Sequence, residues 1–300
     1  MASLEVEARP PWPYRLARSS GGDGVVRARG EVVARLLHVR ERPVAVLAWQ
    51  RRSGEVVLRA AGDDRALLAE AIARVRFALG VDDDLRPFYE RFRSDPLLGP
   101  AIRQRPWLRP RRRPLAWEAL AWAVTKQLIE AEQAAAIQRR IVRRFGPRVE
   151  VARIGELRDV PSPGAIAALA PAELEACDLA PARALALVRA AREVAAGRVD
   201  PARGDGDARL AAIRGIGPWT LQCLALFGRG DADSLPAGDL GYLKVVGRLA
   251  GLGRRATIPE VEEFFAPYAP YRGLAGVFCL VHYHERVAQG PPLRLAPGVA

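Results

Sequence analysis

Lysine is almost missing from this chain. Lys126 and Lys244 are the two lysines among 46 basic residues in 300; the others are arginine. Chemistry that needs a lysine amine therefore has two side chains and the N-terminal amine to draw on. Cysteine is scarce too. Cys177, Cys223 and Cys279 are far apart and odd in number, which excludes a disulfide framework, a CxxC zinc pair and a four-cysteine iron–sulfur cluster. They read as buried free thiols in a reducing compartment. Of three histidines, His282 and His284 stand two apart in a helical pattern, where their side chains diverge, so a shared metal is not expected. The GDGDA run at 204–208 lacks the spaced ligands and closing glutamate of a calcium loop. No apolar run approaches the length of a membrane span, and the start, MASLEVEARPPWPY, lacks a basic-plus-apolar signal pattern. These absences imply no metal, no membrane partner and a cytoplasmic protein, nucleoid-associated if bacterial.

Half the residues are apolar and the length is comfortable for two domains. The formal net charge of +12 suits a polyanion such as nucleic acid. Between Val25 and Ala60, valine-rich runs (VVRAR, VVARLLHV, VAVLAWQ, EVVLRA) are separated by turn signals. Asp63-Asp64 then caps a helix with Leu67, Leu68, Ile72, Val75 and Leu79 on one face. Residues 1–85 thus read as a small α+β domain, an antiparallel sheet with one covering helix. Residues 86–114 read as a connecting segment. Its basic, proline-broken end, RQRPWLRPRRRP, either touches phosphates or solvates a link. From Trp117 onward nearly everything is helical. Pro161 and Pro163, then Pro171, then Pro181 mark three helix starts, and Gly197 a helix end. WEALAWAVTKQLIEAEQAAAIQRRIVRRFG is one long helix or two meeting near Gln127-Leu128. The fold class is mainly α over 115–300, preceded by the α+β domain.

One stretch, LAAIRGIGPWTLQCLALFG at 210–228, breaks an apolar helix and resumes it at once. Gly215 and Gly217 permit a tight turn, Ile216 can pin it to the core, and Pro218 suits a first helical turn. Backbone amides around Gly215, Gly217 and Thr220 then face an anion, and on a basic protein that anion is a DNA phosphate. Twenty residues after Trp219 comes Asp239 in LPAGDLGYL. It opens a helix, where the N-terminus favours the carboxylate form. A carboxylate there is a plain cap, or it can stabilise positive charge developing on a sugar and direct water to it.

IRGIGPWT, the aspartate of LPAGDLGYL, the helices of residues 160–197 and the AWAVTKQLIEAEQAAAI pair together resemble the helix–hairpin–helix DNA glycosylases. The sheet-plus-helix start is similar to the extra domain of the 3-methyladenine glycosylase II branch. The resemblance implies two helical subdomains flanking a cleft, with double-stranded DNA as partner for a monomer. It implies excision of a flipped alkylated purine, with Asp239 catalytic and Leu128 filling the gap left in the duplex. Trp219 and Tyr242 are the base-pocket candidates; Gly215, Gly217 and Thr220 are the phosphate contacts. Bifunctional relatives carry a lysine where Trp219 stands, so a monofunctional, water-using enzyme is expected. Cys223 and Leu280 depart from the aromatic residues of close relatives, which points to a wider or less aromatic pocket. No cofactor is expected; some relatives hold a monovalent cation on hairpin carbonyls, which the sequence does not decide. The rival readings are a non-catalytic DNA-binding module, a glycosylase for oxidised bases and a purely structural helical scaffold.

Overall fold

A computed structural model describes residues 2–18 and 20–289, with backbone alone at residue 2 and at 284–289. The His284 side chain therefore lies outside the described residues. Five antiparallel strands, β1 (Ala2–Ala8), β2 (Val26–Arg29), β3 (Val32–Val39), β4 (Arg42–Gln50) and β5 (Val56–Gly62), form one sheet in the order β1-β5-β4-β3-β2. The acidic N-terminal run supplies an edge strand that its composition concealed. Leu4, Val6 and Ala8 alternate with Ser3, Glu5 and Glu7, so one face turns to the core while Val6 pairs opposite Leu58. Helix α1 (Arg65–Leu79) covers that core. The Asp64 carboxylate accepts from the amides of Ala66 and Leu67 at 3.0 and 3.2 Å, and Gly80 closes the helix at φ 65°.

The other sheet face is covered as well. Strands β6 (Arg148–Val151) and β7 (Gly155–Arg158) form a hairpin whose Leu157 packs on Ala34 and Leu36 of β3. This hairpin interrupts the stretch that sequence periodicity assigned to helices. Its short alternation, with Val149 and Val151 on one side, is too brief to stand out locally and is stabilised by the sheet it covers.

Two helical bodies follow. The first contains α4 (Ala116–Lys126), α5 (Ala131–Phe145), α6 (Pro163–Ala167), α7 (Pro171–Glu175), α8 (Pro181–Ala195) and α9 (Asp207–Ala211). Leu120, Val124, Ile137, Ile141, Leu187 and Leu210 are in its core. Pro163, Pro171 and Pro181 each open a helix, and Gly197, at φ 68°, follows the end of α8. The second body contains α11 (Leu240–Leu249), α12 (Ile258–Phe265) and α13 (Arg272–Gln289). The supposed connection belongs to this second body. Residues 86–104 form α2 (Arg86–Phe92) and α3 (Leu98–Gln104), whose Phe88, Phe92, Leu98 and Ile102 share one core with Val245, Phe265 and Phe278. A third of the second body's apolar layer thus comes from before the first body in sequence, a swap that only long-range burial can specify.

Three of the arginines after α3, Arg109, Arg112 and Arg113, act as staples rather than as a phosphate patch or a solvated link. Arg109, 8% exposed, donates to the carbonyls of Pro13, Gly80 and Asp83 at 2.9, 2.9 and 3.2 Å. Arg112 forms a fork to Asp83 at 2.6 and 2.7 Å and lies over the Phe77 ring. Arg113 reaches Asp23 at 2.7 Å and Glu118 at 3.1 Å. At the same seam Arg35 of β3 meets Glu118 of α4 at 2.7 Å and Asp159 at 3.0 Å. Burial pushes the Asp159 carboxyl pKa up, but Arg35 and the hydrogen bonds from His38 and Val160 outweigh it and hold the value below the ordinary range. Asp23 behaves alike, with Arg113 overcoming burial. No helix among the described residues is long and apolar enough to cross a membrane.

Candidate active site

The TKQLIEAE segment is two helices, not one. Helix α4 stops at Lys126, and α5 begins at Ala131. Between them Leu128 takes φ 58°, the left-handed region that costs a leucine roughly 1–2 kcal/mol. Its side chain is 104% exposed, so no packing offsets that cost. Surrounding contacts enforce the turn instead. Arg183 of α8 donates to the carbonyls of Thr125 and Gln127 at 3.0 and 3.1 Å. The Gln127 amide donates to the Gly215 carbonyl at 2.6 Å and to Thr220 Oγ1 at 2.8 Å. A strained, outward leucine clamped to a glycine hairpin is a feature maintained against local preference. Gln127 and Arg183 escaped the sequence reading because their partners lie dozens of residues away.

The hairpin links α9 to α10 (Pro218–Cys223), which runs on as a π-helical turn, Leu224–Arg229. Ile216 is buried as its position suggests. The two glycines differ. Gly215 has φ 97° and lies close to Ala186, so glycine is required there. Gly217 is extended, φ −108° and ψ −175°, with open space where a Cβ would stand. Among the described residues the Gly215 and Gly217 amides have no hydrogen-bond partner. Thr220 does not fit the expected phosphate contact. Its amide donates to the Gly217 carbonyl at 3.0 Å, its side chain is 1% exposed, and its hydroxyl accepts from Gln127. Thr220 is a positioning residue of the hairpin. The carbonyls of Leu210, Ile213, Gly215 and Gly217 are likewise engaged internally. Among the described residues no cluster of three His, Cys, Asp or Glu side chains could hold a metal ion.

Asp239 caps α11 with φ −66° and ψ 132°; its Oδ1 accepts from the Gly241 amide at 2.8 Å. Oδ2 has no partner among the described residues. The chain before it is tight. A methyl placed on Gly238 would lie 3.6 Å from Trp219 Cδ1 and 3.4 Å from Ile258 Cδ1. On the other side, a methyl on Gly241 would lie 3.1 Å from Leu280 Cδ2. Trp219, partly buried, thus brings the hairpin against the carboxylate's own loop, and Leu280 closes the opposite flank. Burial, then the Asp239 charge, pushes the Cys223 thiol up, so it stays neutral and serves as a small apolar wall.

Tyr242 is not placed where the base-pocket expectation had it. It is 3% exposed, its ring meets Phe265 edge-on at 5.8 Å, and its hydroxyl crowds Gly276 of α13. Most of a helical turn separates it from Asp239, which rotates it into the core of the second body. Burial and the Asp239 charge raise its pKa well above the ordinary phenol value.

A carboxylate with one free oxygen, an unpaired amide pair and an outward leucine converge where two helical bodies meet. This defines a helix–hairpin–helix protein with an acidic residue set beside its hairpin. The chain belongs to the HhH-GPD superfamily of base excision DNA repair proteins, whose family model matches residues 121–270. It is 29% identical over 202 residues, 65% of this chain, to a DNA-3-methyladenine glycosylase of Bacillus subtilis (strain 168). It is 29% identical over 233 residues, 77% of this chain, to a probable bifunctional transcriptional activator/DNA repair enzyme AlkA of Mycobacterium tuberculosis (strain CDC 1551 / Oshkosh). The matches span 66% and 46% of those relatives' lengths. In fold it is similar to the 3-methyladenine DNA-glycosylase of Archaeoglobus fulgidus, with TM-score 0.81, 21% identity and coverage of 94% of this chain and 98% of that one.

Proposed function

We propose that the protein is a monofunctional DNA N-glycosylase that removes alkylated, 3-methyladenine-like purines from double-stranded DNA, acting as a monomer. The observation that carries this reading is Asp239: one oxygen held by Gly241, the other free, and the hairpin tryptophan packed on the preceding residue. In this reading the amides of Gly215 and Gly217 take a DNA phosphate, an interaction that positions the backbone without reading sequence. Leu128 enters the stack as the damaged nucleotide leaves it. The base lies beside Trp219. Asp239 stabilises the oxocarbenium-like sugar and takes a proton from the water that attacks C1′. A base alkylated at a ring nitrogen departs as a good leaving group. With Trp219 in the hairpin position of a Schiff-base lysine, the product is an intact strand with an abasic site.

Incubation with methylated DNA, followed by chromatography of every released base, tests the reading. Free methylated purine is the expected product. Tight duplex binding without release would establish a DNA-binding module instead, and release from oxidised DNA alone would change the substrate class. Borohydride added during turnover is expected to trap no protein–DNA adduct. Strand cleavage without alkali, with an adduct at Lys126, Lys244 or the N-terminal amine, would make the enzyme bifunctional.

A further inference from the structure

The turn that presents Leu128 has the shape of a type II β-turn with leucine where glycine is favoured. Gln127 has φ −53° and ψ 128°, Leu128 has φ 58°, and the Ile129 amide donates to the Lys126 carbonyl at 3.4 Å. The third position of such a turn suits glycine or asparagine, because a larger side chain there crowds its own backbone. Nothing inside the turn offsets this. Its closing hydrogen bond is long, and the leucine side chain stands in solvent.

The support comes from outside the turn. Arg183 of α8 holds the carbonyls on both sides of Lys126, those of Thr125 and Gln127. It forms no ion pair among the described residues, so its charge is spent on two neutral oxygens. Behind the turn, the buried Gln138 of α5 donates to Thr125 Oγ1 at 2.8 Å. Helix α8 also backs the hairpin: a methyl on Gly215 would lie 3.3 Å from Ala186 Cβ and 4.0 Å from the Ala182 carbonyl. The Gln127 side chain then bridges the two loops, reaching the Gly215 carbonyl and the Thr220 hydroxyl. One helix thus carries both the leucine turn and the glycine hairpin, and one glutamine sets the distance between them.

We propose that Gln127 and Arg183 are positioning residues that hold Leu128 outward and in register with the hairpin before DNA arrives, which lets the enzyme extract a damaged purine that is still firmly paired. The proposal rests on the glycosylase reading of the same site. Extrusion has to overcome stacking and pairing, and this is easiest for a nucleotide that is already loose. A leucine that must first reach its left-handed state adds that strain to the barrier; a leucine clamped there does not. The hairpin amides fix a phosphate, and the Gln127 bridge fixes where the leucine enters relative to that phosphate. The clamp therefore matters most where the base is hardest to remove.

Single-turnover release of N7-methylguanine from two duplexes tests this, one with cytosine opposite the lesion and one with an abasic analogue there. Gln127→Ala and Arg183→Met are each expected to slow release about 30-fold opposite cytosine and about threefold opposite the abasic analogue. Arg183→Lys, which can reach one of the two carbonyls, recovers part of the loss. In a Leu128→Gly background the turn needs no clamp, so adding Gln127→Ala should slow release opposite cytosine by less than about threefold. Folded variants slowed equally on both duplexes and in both backgrounds would make the two residues plain scaffold and overturn the proposal. Wild-type rates in Gln127→Ala and Arg183→Met would overturn it and leave the glycosylase reading standing. Release from neither duplex by the wild type would remove that reading and the proposal together.

Discussion

Asp159 and Asp239 are carboxylates in opposite circumstances. Asp159, at the seam between sheet and helices, is buried and faces Arg35, the His38 ring and the amides of His38 and Val160. Asp239, half-buried, accepts from one amide and leaves its second oxygen unpaired among the described residues. The contrast extends to their neighbours. At the seam Arg113 pairs with both Glu118 and Asp23, and Trp122 donates to Asp23 at 3.0 Å. Among the described residues, by contrast, the Lys126 ammonium and the amides of Gly215 and Gly217 have no partner, and Leu128 lacks packing. Buried charge survives by pairing, because an unpaired buried ion costs several kcal/mol. Groups left unpaired near the surface keep their water and stay open to a ligand.

The sharpest test of this contrast is Asp239→Asn, nearly isosteric but uncharged. Single-turnover base release should fall by about 10³-fold while duplex affinity stays within about twofold. Wild-type rates in the folded variant would return Asp239 to the status of a cap.

At the seam, Glu118→Ala should act on the fold instead. It leaves Arg35 and Arg113 without their shared partner and should cost about 3–5 kcal/mol in urea unfolding. Acid should reproduce part of this loss. Asp23 and Asp159 have folded pKa values below their unfolded ones, so their contribution is complete above roughly pH 4 and is lost as pH falls through the folded values. A stability curve flat from pH 6 to pH 2 would show that the seam contributes no linkage.

The two hairpin glycines divide the contrast within a single turn. Gly217→Val adds a side chain into open space on an ordinary backbone, so melting should hold while duplex binding weakens about tenfold, equally for different sequences. Gly215→Val should instead lose about 1–2 kcal/mol of stability from its positive φ. The smallest effect is expected at Leu128. Leu128→Gly relieves the left-handed strain and should raise thermal stability by up to about 1 kcal/mol while slowing base release. A drop in stability would mean that Leu128 packs after all.

Local chemistry made much of this molecule readable. Asp64 before an apolar stripe, proline at three helix starts and glycine after α8 act within one or two turns of chain, so α1 and the α6–α8 run were legible in advance. The Gly-Ile-Gly-Pro turn and the aspartate twenty residues after Trp219 were equally local, and they drew attention to the cleft. Other features depended on partners far away. The β1 edge strand needed β5, the β6–β7 hairpin needed the outer face of β3, and α2–α3 needed α13. Arg112 and Arg113 looked free because Asp23, Asp83 and Glu118 were not yet beside them. Tyr242 and Thr220 looked functional by position, but helix rotation turned both inward. By itself, the sequence determined the turns, caps and apolar faces, because those energies arise between residues close along the chain. Tertiary structure alone decided which charges would be paired and which left free, because pairing depends on distance in space and on how much water remains.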